Sequence, residues 1–356
     1  MIKNKDKDIN SKIIREKCDL KIVDFFKRIF GKKDNKQLLN ATETRYQELV
    51  ESIDDLELCK MFVERTTRNV TPEMEKAIQP YQQYQQAGNR VYEYPVQTTI
   101  TKDDTFELAR KFFECIDDGL CEKFNNIING NNPNIILVME EFNGKRASTT
   151  NPNEMPVTVY VPIRDDIRQL YELVHECTHT FDIDNGDTPT RMVLGEVAPQ
   201  CMERLLDDFL LEMSDEDMQR YGFEKSTIEK DVKTRRIATF LSRFNNAQNL
   251  YRRCGEKKID SRYMLAQIYS AHFNKFDKKV KKNKLVSFIE YVKNDEFDKA
   301  NSCFELSISK SAKLNGFYRD TYVGDAISEV KDLVLPQNQE DSKTQPKELD
   351  RDDLVR

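Results

Sequence analysis

Apolar positions recur three and four residues apart through most of the second half of this chain, the spacing by which a helix gathers a buried stripe. On that spacing helices are predicted near 166–181, 194–213, 226–254, 261–280, 285–310 and 317–334. Upstream, Ala41 to Asn69 and Thr105 to Ile128 carry the same period, the second stopped by the breaker Asn129 to Pro133. Two segments depart from it. Asn134 to Phe142 and Val157 to Ile163 are rich in β-branched and aromatic residues and are separated by the polar run Asn143 to Pro156. They are expected to form a small antiparallel sheet. The fold expected is mainly α (α+β), with that sheet beside the helix that starts near 166.

The same pattern divides the chain. Residues 1–36 are lysine-rich around KIVDFFKRIFGKK, where apolar residues at helical spacing alternate with cations as in a surface-lying amphipathic helix. Residues 37–100 form an N-terminal helical region ending in a polar, proline-bounded connector from Thr71 to Pro95, and 101–334 form the main domain. The tail, 335–356, is too polar to pack and is expected to be disordered. No internal repeat is visible.

Composition narrows the function classes. With 38% hydrophobic residues the chain can fill a sizeable core. Charged residues make up 33%, yet the net charge is only -6, so neither sign dominates and nucleic acid is not expected as a partner. Eight cysteines stand at 18, 59, 115, 121, 177, 201, 254 and 303 with no CxxC pair, as scattered reduced thiols would. No apolar run suits a secretory signal or reaches the length that crosses a bilayer. A cytoplasmic protein without stable membrane insertion is expected, although a specialised export route would leave no such mark.

The chemistry concentrates in QLYELVHECTHTFD, which contains His175-Glu176-x-x-His179. Two imidazoles one helical turn apart on one face can reach a single metal ion, and zinc suits them. Glu176, beside the first of them, can take a proton from a water that the metal activates and pass it to the leaving amine. The chain has only three histidines, and two are in this motif, which sets it apart from an ordinary solvated helix face.

A catalytic zinc needs a third protein ligand and one open position. Glu196, in GEVAPQCMERLLDDFLLE, is the natural candidate; Asp182, Asp184 and Asp187, directly after the motif, are alternatives. The HExxHxxGxxH pattern fails, because its glycine position is Asp182 and its last ligand position Asn185. Glu203 lies seven residues after Glu196, two turns along on the same face, where it can accept a hydrogen bond from a ligand imidazole and fix its tautomer. Cys177 is offset about 200° from His175 and is read, with Cys201, as core packing.

HECTH, EVAPQCME and the lead-in VTVYVPIRDDIRQLYELV together resemble the thimet oligopeptidase and oligoendopeptidase F family of zinc peptidases. The resemblance covers Arg146 to Leu210, and more loosely the chain to about residue 330. It implies a helical, zincin-type catalytic domain of the gluzincin kind over 101–334, with one Zn2+ per chain held by His175, His179 and Glu196. It further implies Glu176 as general base, Glu203 as support for a histidine, and Tyr318 and Tyr322, in FYRDTYV, as donors to the tetrahedral intermediate. The chain departs from the family at Thr178, where a glycine is common, at Pro199, where a serine is common, and before Tyr318, where no histidine stands. Tyr263 and His272, in SRYMLAQIYSAHF, are the competing donors.

The function expected is thus hydrolysis of a peptide bond in a peptide or protein substrate, with Val157 to Ile163 as a site edge on which an extended segment could pair. The sequence leaves oligomeric state open. An ImmA/IrrE-like regulatory protease is a second enzyme reading, and a degenerate, zinc-stabilised binding module a third.

Overall fold

The computed structural model of the protein describes residues 60–86, 94–150, 156–181, 194–252, 262–294, 296–304 and 316–335. The lysine-rich segment, the tail beyond 335 and Asp182, Asp184 and Asp187 lie outside these described residues. All described residues fall within the unit Asp54–Arg356. The architecture is mainly helical with one small mixed sheet. No helix among the described residues is long and apolar enough to cross a membrane.

After a helical stretch over 60–69, the first complete helix is α1 (Pro72–Gln86). The sequence reading placed a connector here. Met74 and Ile78, one turn apart, are buried on its inner face, and the helix packs on α7 and α11, defined below. Two apolar anchors suffice to dock an otherwise polar helix, and Pro80 is accommodated within it. α2 (Lys102–Ile116) and α3 (Asp118–Ile128) replace the single helix expected over that region. The break is Asp117, extended at φ -166° and ψ 136°, whose side chain accepts from the Leu120 N–H and so starts α3.

The sheet has the order β1-β3-β2, with β1 Ile135–Glu141, β2 Ser148–Thr149 and β3 Val157–Ile163. β1 and β3 pair in parallel, Ile135 opposite Val157 through Glu141 opposite Ile163, whereas an antiparallel pair was expected. The polar run between them is not a hairpin loop. It crosses over, lays β2 antiparallel on the far side of β3, and returns to start β3 beside the start of β1. β3 is consequently the central strand and mostly buried, so it is not the edge that was expected; the edges are β1 and β2.

β3 leads through a tight turn into α4 (Arg168–Thr178), in which every residue from Gln169 to Thr178 is buried. At the turn Asp165 has φ 55°, and the Gln169 side-chain oxygen accepts from the N–H groups of Arg164 (2.9 Å) and Asp165 (3.0 Å). The Gln169 amide donates onward to Ile100 O (3.1 Å) and Thr105 Oγ1 (2.7 Å), tying the turn to the start of α2. Glu172 faces Arg164 at 3.2 Å, and burial pushes its carboxyl up to about 7 against the pull of that guanidinium.

Six further helices follow α4 among the described residues: α5 (Val197–Leu211), α6 (Asp215–Tyr221), α7 (Lys225–Arg252), α8 (Arg262–Phe273), α9 (Lys278–Lys293) and α10 (Phe297–Ser302), with α11 (Gly316–Val334) after them. α5 packs on α4 and α8, and buries most of its length. The boundary expected between 280 and 285 falls earlier, at Asp277, whose carboxylate caps α9 through the Val280 N–H.

Gln169→Leu keeps the volume but leaves two N–H groups and a carbonyl without partners. It is expected to cost about 2 kcal/mol or more, read as a lower urea midpoint at unchanged slope.

Candidate metal centre

α4 sets His175 and His179 one turn apart, their rings 4.9 Å between centroids and inclined at 74°. Glu196 comes from a separate segment, as the residue preceding the first turn of α5. Its Oε2 lies 3.3 Å from His175 Nε2 and 3.9 Å from His179 Nε2. The three ligand atoms all lie within 4.8 Å of one another, and together these residues can hold a metal ion. His175 is 5% exposed and Glu196 7%, while His179 is half-buried and gives the centre an open side.

The donors fit a cation rather than a closed hydrogen-bond network. Glu196 Oε2 is buried with no hydrogen-bond partner, which is costly for a carboxylate unless a positive charge faces it. Burial pushes that carboxyl up, but the charges of His179 and His175 hold it down at about 2. Burial likewise works against a charged His175, yet the Glu196 and Glu203 carboxylates beside it raise its imidazole well above the ordinary range.

Behind His175 the support is continuous. Glu203 Oε1 lies 2.7 Å from His175 Nδ1, which leaves Nε2 to face Glu196. The other oxygen of Glu203 accepts from Arg235 Nη1 at 2.6 Å. Arg235 Nη2 donates to Asp207, which also accepts from Arg236 Nε and the Tyr171 hydroxyl, both at 2.7 Å. The Arg235 guanidinium stacks 4.4 Å from the Tyr171 ring centroid, and Tyr171 stands one turn before His175 on α4. The chain of contacts therefore closes on the helix from which it began. Burial pushes the Asp207 carboxyl up, but Arg235 and Arg236 hold it at about 2.

Glu176 is buried beside the two histidines, and Thr149 on β2 reaches it: Thr149 Oγ1 lies 2.8 Å from Glu176 Oε2 and 3.0 Å from the Glu176 carbonyl oxygen. The sequence offered no signal for this contact, because a two-residue strand is too short to show a period. Cys177 and Cys201 are fully buried, and burial pushes both thiols up, as expected of packed, unreactive cysteines. Cys115, Cys121 and Cys303 are also free thiols.

The donors expected for an oxyanion are not gathered so clearly. Tyr318 and Tyr322 fall on α11, but their side chains lie outside the described residues. Tyr263 begins α8 and is 38% exposed, with the Arg243 guanidinium 4.5 Å from its ring centroid. His272 has Nδ1 2.8 Å from Asp325 Oδ2 on α11.

No protein-family model and no curated protein matches the chain. Among solved structures it is similar to a "putative peptidase" from Chlamydophila abortus, at 11% identity and a TM-score of 0.48, over 79% of this chain. The match spans 56% of that protein's chain, and a likeness at this level carries no functional argument.

Two measurements test the centre. Asp207→Ala removes one of the two carboxylates that Arg235 faces and the nearest partner of Arg236, and is expected to cost about 3 kcal/mol in chemical denaturation. Because Asp207 is held below its ordinary 3.8, its contribution is complete above that value and is lost as pH falls through about 2. Asp207→Asn should therefore flatten acid unfolding between these limits. Separately, a metal must displace the proton that His175 holds, so metal uptake should weaken on acidification and release protons. Calorimetry in buffers of different ionisation enthalpy reads that release.

Proposed function

We propose that the chain is a zinc-dependent peptidase that hydrolyses a peptide bond with Glu176 as general base. The observation that carries this reading is the convergence of His175 Nε2, His179 Nε2 and Glu196 Oε2 within 4.8 Å, with the carboxylate oxygen buried and without a hydrogen bond. Two imidazoles and one carboxylate are a donor set that suits zinc while leaving a position open, and the half-exposed side at His179 is where substrate would approach. When bound, the metal would polarise the scissile carbonyl and lower the pKa of a water.

The remaining work falls to residues of this chain. Glu203 holds His175 in the tautomer that presents Nε2, and Arg235 and Asp207 hold Glu203. Thr149 orients the Glu176 carboxylate from the sheet edge, so that Oε1 is the oxygen left to take a proton and deliver it to the leaving amine. The two-residue β2, not the buried β3, is the edge on which an extended peptide would pair. Tyr318 and Tyr322 are the donors proposed for the oxyanion, by resemblance to the oligopeptidase family, with Tyr263 and His272 as rivals.

The deciding experiment combines metal analysis with digestion of a mixed peptide library. One zinc per chain, with cleavage lost in Glu176→Gln while zinc is retained, is the expected result; cleavage that persists in this variant overturns the assigned base. Zinc with no cleavage by the wild type would instead support a binding module. Glu196→Ala is expected to lower zinc stoichiometry, and an unchanged metal content would move the third ligand elsewhere. Tyr318→Phe and Tyr322→Phe should lower turnover by about tenfold or more at full zinc content, the scale of losing one oxyanion donor being about a hundredfold. If both are silent, Tyr263 and His272 become the donors to replace.

A further inference from the structure

A charge taken out of water needs an opposite charge in its place, so buried arginines are normally paired. Among the described residues three arginines are buried: Arg204, Arg235 and Arg243. Arg204 faces Glu329 at 2.8 Å, and Arg235 faces Glu203 and Asp207 at 2.6 and 2.5 Å. Arg243, 7% exposed, has no ion pair among the described residues, and its buried Nε has no hydrogen-bond acceptor. What it does have is a platform, the ring of Tyr263, 4.5 Å from its guanidinium carbon.

That platform stands beside the metal centre. The Tyr263 carbonyl accepts from Gln200 Nε2 at 3.4 Å, and Gln200 lies one turn along α5 from Glu196, whose carbonyl receives the Gln200 N–H at 3.2 Å. Among the described residues a planar cation stacked on an aromatic ring, with no acceptor at its buried Nε and no carboxylate paired to it, is thereby tied to the turn of α5 that follows Glu196. Tyr263, 38% exposed, gives that place its outlet to solvent.

We propose that Arg243 anchors substrate by binding a carboxylate of the peptide, a group whose two oxygens match the guanidinium fork. This rests on the peptidase reading of the same site. The carboxylate has two possible sources. A chain terminus would make the enzyme a trimmer of C-terminal ends, and an aspartate or glutamate side chain would direct internal cleavage to acidic segments.

The test uses zinc-loaded Glu176→Gln protein, so that binding is read without turnover. Random octapeptide pools carrying an uncharged fluorophore at the N-terminus are titrated by fluorescence anisotropy in three forms: free C-terminus without Asp or Glu, amidated C-terminus with Asp and Glu, and amidated without them. At least one carboxylate-bearing pool is expected to bind about tenfold or more tightly than the last, the gain of a charge-assisted hydrogen bond. Which pool binds identifies the source. The advantage should vanish when Arg243→Gln is added and be partly kept by Arg243→Lys. Arg243→Gln breaks no ion pair among the described residues and loses only the stacking on Tyr263, so its thermal midpoint should stay close to the parent value, which separates lost binding from lost folding.

Equal binding of all pools, or a preference that survives Arg243→Gln, overturns the proposal. Wild-type cleavage of the same pools is scored independently. Cleavage without any carboxylate preference overturns the role of Arg243 and leaves the peptidase reading intact. Carboxylate-dependent binding to a wild type that never cleaves sustains Arg243 and overturns the peptidase reading.

Discussion

The structure depends on a single constraint: α4 is buried on every side although about half of its residues are polar. Gln169, Tyr171, Glu172, His175, Glu176 and Thr178 are all buried, so each needs a hydrogen bond within the protein, and an unmade one costs about 1–3 kcal/mol. Each neighbour supplies one. The 100–105 segment meets Gln169, Arg164 meets Glu172, α5 meets Tyr171 and His175 through Asp207 and Glu203, and β2 meets Glu176. Thr178 returns its hydroxyl to Val174 O one turn back. Against a net stability of about 5–15 kcal/mol, two or three such contacts hold the balance between folded and unfolded chain. The positions of the surrounding elements are therefore set by polar satisfaction as much as by apolar packing.

Charge is ordered in the same way. From His175 the sequence of contacts alternates in sign through Glu203, Arg235, Asp207 and Arg236, with no water between them. Replacing such buried pairs with apolar side chains often raises stability, so their value here lies in geometry. A fixed Glu203 fixes the ring it touches. Arg243, two turns further along α7 than Arg235, stands outside this alternation among the described residues.

Much of the centre could be read from spacing. Four residues put His175 and His179 on one face of a helix, and seven put Glu196 and Glu203 on one face of another, because helix geometry is local. The sheet could not be read so well. Whether Ile135–Glu141 and Val157–Ile163 run parallel depends on the route of the 142–156 segment, and its polar residues suit a hairpin loop and a crossover alike. α1 escaped notice because, among the described residues, Met74 and Ile78, with the partly buried Tyr81, anchor it, too few to stand out against its glutamines. Thr149 and Arg243 left no trace at all. A single hydroxyl in a polar run and a single cation in a charged helix acquire their roles only from neighbours distant in sequence.

The position of Thr149 has one more consequence. Its hydroxyl has one hydrogen and two acceptors in range, the carboxylate and the backbone carbonyl of Glu176. While the carboxylate is charged it is the stronger acceptor; in the proposed role of Glu176, taking up a proton would hand the bond to the carbonyl by a turn about one side-chain bond. Thr149 is thus placed as a rotor that would let the buried acid change its charge without stranding a hydrogen bond, and replacement by valine would remove that freedom while keeping the shape.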